Sequence, residues 1–449
     1  MLGRVNKLED LPRKFEQALL NQKEAPISNW VKSALDQAKE LIVEDFERDL
    51  ARILIQYAYD ISEVKQCSVG LGLAAAFDLF VAAQYYKSAV HRRWYYCPEH
   101  SPVLFYPFTN TCPRCILNGQ FHFQPAHKPE SGSIGQATSH LLSVFLHQLF
   151  DKFNRPMRIF RGKEPVDLMI YDMHDTTVLL AEIKAAPLVT LPLAVSSDKL
   201  TDTVDGEELI PVNSHESMDN PYLNSSDLYM FLPLRTNGEH SYRFINLGKV
   251  NIQSDRTWAY KRFEQVLCAD QTFFEEYFDF WLEAFNAYKV NYLSNRLPGN
   301  QRSESNVFWL TNACGQPYPR PSHWPRRSGT GYESVSDGKT SVGMDRTDDI
   351  KKGIYQVLKI ATESKPNESE FKVKTALISN IHAVRHYDEY LSSLEDVMWL
   401  VDKRTDKSKE VRKIGDLPDE FAVYNLFDGI ISFTESHMRD DWIKSKFSF

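Results

Sequence analysis

Cysteine is scarce: six in 449 residues, which excludes a disulfide-stapled scaffold and suits reduced thiols in a cytosol. A positive surplus is lacking too. Lys and Arg number 52 against 60 Asp and Glu, a net charge of −8, so no global positive field attracts nucleic acid or membrane and any such site must be a local patch. The opening "MLGRVNKLEDLPRKFEQ" lacks the apolar core of a secretory signal. The most apolar run, "CSVGLGLAAAFDLFVAAQYY", contains Asp78 and Gln84 and reads as a buried helix before a membrane span. Repeats and low-complexity tracts are also missing. The expectation is a cytoplasmic protein. What is abundant is core-forming material: 43% hydrophobic and 12% aromatic residues, enough for two or three folded domains.

Four segments are expected. Apolar residues at three- and four-residue spacings, among them Leu35, Leu41, Ile42, Phe46, Leu50 and Ile53, predict an α-helical domain over 1–93. Residues 94–129 are rich in Cys, His, Pro and aromatics and too short for a core of their own, so a cross-link is expected there. A core over 130–385 begins with an amphipathic helix in "SGSIGQATSHLLSVFLHQLFDKF". "MRIF", "VDLMIYD" and "TVLLAEIKAAPL" follow as an antiparallel meander. An insertion over about 190–340 brings strands in "DLYMFLPL" and "SYRFINLG", a helix over about 262–295 and a strand in "NVFWLTNACG". The core resumes with a helix in "RTDDIKKGIYQVLKIATES" and a strand in "FKVKTALISNIH". Residues 386–449 mix helical and strand signals. The fold class expected is mixed α/β, a central mixed sheet flanked by helices.

"CPEHSPVLFYPFTNTCPRC" holds two short pairs, Cys97 with His100 and Cys112 with Cys115. Two soft ligands on one tight turn reach one metal, and two such turns close a tetrahedral Zn²⁺ shell. A proline after the first cysteine of each pair favours the turn. His122 and His127 are alternatives to His100 as fourth ligand. Four protein ligands leave no open position, so the role expected of this zinc is structural. Cys67, Cys268 and Cys314 stand singly in apolar contexts and read as core residues.

"EPVDLMIYDMHDTTVLLAEIKAAPL" carries Asp167 in its first arm and Glu182 and Lys184 in its second. Side chains alternate along a strand, so Glu182 and Lys184 share a face, and antiparallel pairing brings Asp167 toward them. Two carboxylates and an ammonium on one spot are costly unless a cation joins the acids, and hard oxygen ligands of this kind suit Mg²⁺. The chemistry that follows is phosphodiester hydrolysis. Asp167 and Glu182 would hold the metal, with the main-chain carbonyl of Ile183 as a further ligand. Lys184 would orient or help deprotonate a water and offset transition-state charge.

In the order helix, strand, Asp-bearing strand, Glu-x-Lys-bearing strand, crossover helix and further strand, the chain resembles the PD-(D/E)XK nuclease superfamily, and within it the type II restriction endonucleases. "PVD" (Pro165 to Asp167) and "EIK" (Glu182 to Lys184) carry the resemblance, with a spacing of 15 positions from one acid to the other. Val166 separates the proline from the aspartate, a departure from the family pattern that leaves the chemistry intact. The family often adds an acid from the preceding helix, for which Glu130 stands nearest. The resemblance implies Mg²⁺-dependent, sequence-specific cleavage of double-stranded DNA, and a symmetric homodimer where the target is palindromic.

For holding DNA, "YPRPSHWPRRSGTGYES" offers Arg320, Arg326 and Arg327 among Tyr, His and Trp, and Lys351 and Lys352 continue the basic character. Residues 320–359 carry eight Lys and Arg against five Asp and Glu, a modest patch equally readable as a solvated loop. Two alternatives stand beside the restriction enzyme: a repair or mobile-element nuclease, and a non-catalytic zinc-containing nucleic-acid-binding protein.

Overall fold

The computed structural model describes residues 28–89, 95–96, 103–106, 112–120, 131–196, 203–204, 207–208, 227–236, 238–249, 255, 257–294, 305–313, 342–345, 347–365, 371–384, 386–394, 397–402, 407–413 and 421–449. The chain divides into two units, each assembled from separated stretches. Met1–Val43, Thr138–Ala185 and Gly343–Phe449 form the first, and Glu44–Ala137 and Ala186–Val342 form the second.

In the first unit the elements run α1 (Asn29–Asp36), β1 (Lys39–Glu40), α2 (Ser131–Lys152, in this unit from Thr138), β2 (Met157–Arg161), β3 (Leu168–Asp172), β4 (Thr177–Ile183), α3 (Thr347–Ser364), β5 (Lys372–Ile378), β6 (Val397–Asp402), β7 (Lys407–Lys413), β8 (Phe421–Asn425), β9 (Gly429–Ile431), β10 (His437–Met438) and α4 (Asp441–Phe447). Seven strands form one sheet in the order β1-β2-β3-β4-β5-β9-β10. The chain meanders antiparallel through β2, β3 and β4, then pairs in parallel from β4 to β5 and from β5 to β9. A parallel neighbour requires a crossover, and α3 precedes β5 as that element. β6, β7 and β8 form a separate three-stranded sheet.

Burial explains β4. Every residue of "TVLLAEI" is buried, as befits a central strand covered on both faces. On one face Val178 and Leu180 pack with Met169 and Tyr171 of β3, with Val31, Ala34 and Leu35 of α1, and with Ile360 of α3. Further along α3, Ile350, Val357 and Ala361 pack with Leu377 of β5 and with Ile430. The apolar stripe of α2 sends Phe145 against Phe433 and Phe150 against Phe447, ring centroids 5.5 and 5.4 Å apart. The fold class is therefore mixed α/β with helices flanking a sheet.

The second unit pairs helices Asp45–Lys65 and Val69–Ala89 with helices Trp258–Ala269 and Phe273–Ser294 and a five-stranded sheet. The apolar helix is long enough to cross a membrane, yet 78% of its most hydropathic window is buried in the fold. Its Asp78 explains why a core helix tolerates an acid. The carboxylate accepts the main-chain N–H groups of Leu188 and Val189 at 2.9 Å and the indole N–H of Trp281 at 2.8 Å.

Two sequence expectations need correction. "NVFWL" (Asn306–Leu310) is a 3₁₀ helix and no strand: Val307, Phe308, Trp309 and Leu310 are all buried, and Ser305 caps the turn through Val307 N. The helix expected over 262–295 is two helices. Asp270 breaks it by accepting the N–H and hydroxyl of Thr272 at 3.1 and 2.9 Å. A separate zinc module over 94–129 is not evident among the described residues. Tyr95–Tyr96 and Val103–Tyr106 are strands of the second unit's sheet, and the short helix Pro113–Leu117 packs on the 306–310 turn.

Candidate active site

The β3–β4 ladder faces Leu168 with Ala181 and Met169 with Leu180, so its continuation by one residue sets Asp167 opposite Glu182. Residues directly opposite share a face, and Lys184 joins them two positions on. Both strands contribute to holding the pair: Asp167 Oδ2 accepts the main-chain N–H of Ile183 at 3.2 Å, and Lys184 N donates to Ile378 O of β5 at 2.9 Å. Lys184 forms an ion pair with Glu182 Oε1. The three sequence-predicted side chains thus meet at one end of β4, with Ile183 between them.

Two glycines bring the surrounding backbone in. A Cβ on Gly353 of α3 would stand 3.0 Å from Leu377 Cδ1 and 3.4 Å from Lys184 Cγ, so the bare backbone lets the helix close over the lysine stem. Gly343, at φ +55°, is the second. A Cβ there would meet Ser379 Oγ at 2.7 Å and Lys184 O at 3.2 Å.

Electrostatics distinguish the acid from the base. Burial, then the charge of Asp167, pushes the Glu182 carboxyl well above the usual carboxylate range, and Lys184 only partly opposes them. The second oxygen of Glu182 is buried with no hydrogen-bond partner. Burial works against the Lys184 ammonium, but Glu182 outweighs it, with help from Asp167 and Asp349, and the lysine pKa is raised. Asp349, an acid in the first turn of α3, is a further member of this charge group. Arg161 also senses Asp167, although burial lowers its pKa overall.

A second cluster in the same unit escaped sequence reasoning. His382, Glu435 and His437 bring ligand atoms within 4.8 Å of one another, a set able to hold a metal ion. His437 opens β10 and Glu435 lies in the turn just before it, while His382 comes from the loop after β5. The Glu-x-His spacing is the one signal that the sequence held for it.

Of the other expected residues, Cys112 caps the short helix Pro113–Leu117 and Cys115 lies within it, both buried. Cys97 and His100, Glu130, and Arg320, Arg326 and Arg327 lie outside the described residues. Lys351 and Lys352 are exposed on α3, and Lys351 Nζ lies 5.3 Å from the ring centre of Tyr390. Comparisons with protein-family models, with curated proteins and with solved structures return no match.

Proposed function

We propose that the protein is a Mg²⁺-dependent endonuclease that hydrolyses phosphodiester bonds of double-stranded DNA, a type II restriction enzyme of the PD-(D/E)XK kind. The observation that carries this reading is Asp167 opposite Glu182 with Lys184 on the same face. The element order α2, β2-β3-β4 meander, crossover α3 and parallel β5 supports it.

The residues present fit a hard divalent cation. A buried carboxylate oxygen of Glu182 lacks a partner and faces a second carboxylate, an arrangement that a cation between the acids relieves. Asp167, Glu182 and the main-chain carbonyl of Ile183 would hold it. Mg²⁺ bound there supplies a Lewis acid that offsets phosphate charge and lowers the pKa of a bound water. Lys184 contributes as a cation. Its raised pKa keeps the ammonium at neutral pH, suited to orienting a water and stabilising charge that develops on the scissile phosphate, and less suited to general base work.

Lys351 and Lys352, with Arg320, Arg326 and Arg327, are proposed to meet DNA phosphates and base edges, and Cys97, His100, Cys112 and Cys115 to hold a structural Zn²⁺. A homodimer follows if the target is palindromic. Plasmid digestion tests the reading: discrete Mg²⁺-dependent fragments from the wild type and none from Asp167→Ala or Lys184→Ala are expected. Cleavage confined to branched or damaged DNA would point to a repair nuclease instead.

A further inference from the structure

His382 has an environment that packing alone does not account for. It is 6% exposed, and both ring nitrogens are buried without a hydrogen-bond partner. A buried imidazole carries one N–H donor and one lone pair, and leaving both unmet forfeits the hydration each had in water. Histidines buried for shape alone usually satisfy at least one nitrogen.

The backbone around this side chain is fixed from several directions. His382 N donates to Thr434 Oγ1 at 2.9 Å, and Phe433 N to Asn380 O at 3.3 Å, so the loop after β5 is tied to the turn between β9 and β10. Asp345 secures the other end, accepting Val384 N at 2.9 Å and His386 N at 3.0 Å. The turn itself is braced by the Ser436 hydroxyl, which donates to Ser432 O at 2.6 Å and accepts Ser432 N at 2.9 Å. From that braced turn Glu435 and His437 face His382: its ring centroid lies 4.9 Å from that of His437, and His437 Nε2 lies 3.2 Å from Glu435 Oε1.

His437 shows the arrangement typical of a ligating imidazole. Its Nδ1 lies 3.1 Å from the Tyr387 hydroxyl, which orients the ring and leaves Nε2 toward Glu435 and His382. Tyr387 stacks on His437 at 4.5 Å and also contacts His382 at 4.7 Å between centroids.

We infer that His382, Glu435 and His437 form a binding site for a divalent transition-metal ion of the zinc class, built where the turn between β9 and β10 meets the loop after β5. Two imidazoles and one carboxylate favour such an ion over Mg²⁺, which prefers all-oxygen surroundings. Ligands bonded at about 2.1 Å in a tetrahedron stand about 3.4 Å apart. The His437–Glu435 separation of 3.2 Å already matches, and small side-chain rotations close the remainder from within 4.8 Å. Three protein ligands leave a fourth position for water, on the side where Glu435 is 61% exposed. This site shares no ligand with the Asp167 and Glu182 pair or with the cysteine pairs.

Co²⁺ titration of the full-length, EDTA-stripped protein in excess Mg²⁺ tests it, because cobalt bound by N and O ligands gives d–d absorption without the thiolate charge-transfer band that cysteine sites show. The wild type should bind one Co²⁺ of the thiolate-free kind. His382→Ala and His437→Ala should each weaken it at least about tenfold, while any thiolate band stays as in the wild type. His437→Asn, at a position 26% exposed, should show the same loss and decides the matter if the buried His382 variant fails to fold. A wild type that binds no thiolate-free Co²⁺, or variants that bind it as the wild type does, would reduce His382 to a packing residue and overturn the site. Neither result depends on DNA cleavage.

Discussion

At the scale of single residues, Lys184 and Glu182 carry most of the consequence. With three carboxylates raising its pKa, Lys184 acts as a fixed positive charge, and Lys184→Ala should lower the cleavage rate by about 10²–10³, the scale for removing one preorganised charge-stabilising group. Arginine should not rescue it, since a planar guanidinium does not reproduce the point contact of the ammonium with Glu182. Single-turnover rates for the two variants decide this. Glu182 predicts a pH effect of definite sign. Its folded pKa is raised, so the metal-free folded protein holds a proton there that the unfolded chain releases. The stabilisation this gives is full below the unfolded value and fades as pH rises through the folded one. Mg²⁺ must displace that proton, so the thermal shift caused by Mg²⁺ should grow with pH. At a concentration of 100 Kd the full effect is about 2.7 kcal/mol. Melting curves of Glu182→Gln should show little Mg²⁺ shift at any pH.

At the scale of elements, the contact between α3 and β4 and the clasp on α4 are the most exposed to test. Gly353→Val would drive a side chain into Leu377 and Lys184, a cost of about 1–3 kcal/mol for overpacking. Cleavage should fall by more than that stability loss alone explains, as seen by comparing kcat with the urea midpoint. The clasp is Asp172 at the end of β3, which accepts Trp442 Nε1 at 3.0 Å, pairs with Lys446 at 2.8 Å and accepts His174 N at 2.9 Å. Burial opposes its charge, but these partners outweigh it and hold its pKa below the ordinary carboxylate value. The stability this gives is therefore present above the unfolded pKa and lost as pH falls through the depressed one. Asp172→Ala should cost on the order of 3 kcal/mol at neutral pH and flatten the acid limb of the stability curve.

Elements of this kind were readable in proportion to their periodicity. β3, β4, α2 and α3 announced themselves by alternation or by three- and four-residue spacing, and the Asp167, Glu182 and Lys184 group followed because a pleated strand fixes which residues share a face. Asn306–Leu310 misled because an apolar run without alternation suits a buried strand and a buried 3₁₀ turn equally. The break at Asp270 was a local side-chain bond inside an otherwise continuous helical pattern.

At the scale of the whole molecule, what the sequence could not carry is long-range meeting. His382 and the Glu435–His437 pair are more than fifty positions apart and belong to stretches with no shared motif, so only the parallel pairing of β5 with β9 brings them together. Asp349 reaches Lys184 for the same reason, through a crossover helix far along the chain. The protein is accordingly expected to carry distinguishable metals: Mg²⁺ at the carboxylates, a transition ion at the histidines, and Zn²⁺ at the cysteine pairs. Cys112→Ser combined with Cys115→Ser should remove one zinc equivalent by elemental analysis and leave the thiolate-free Co²⁺ site intact.

The central claim, that Asp167, Glu182 and Lys184 cleave DNA with Mg²⁺, is tested most directly by incubating supercoiled plasmid with purified full-length protein, with Mg²⁺ or with EDTA, beside Asp167→Ala and Lys184→Ala. The account predicts discrete linear fragments from the wild type in Mg²⁺ alone and intact plasmid in the other lanes. An inert wild type, or cleavage that survives both substitutions, would contradict it.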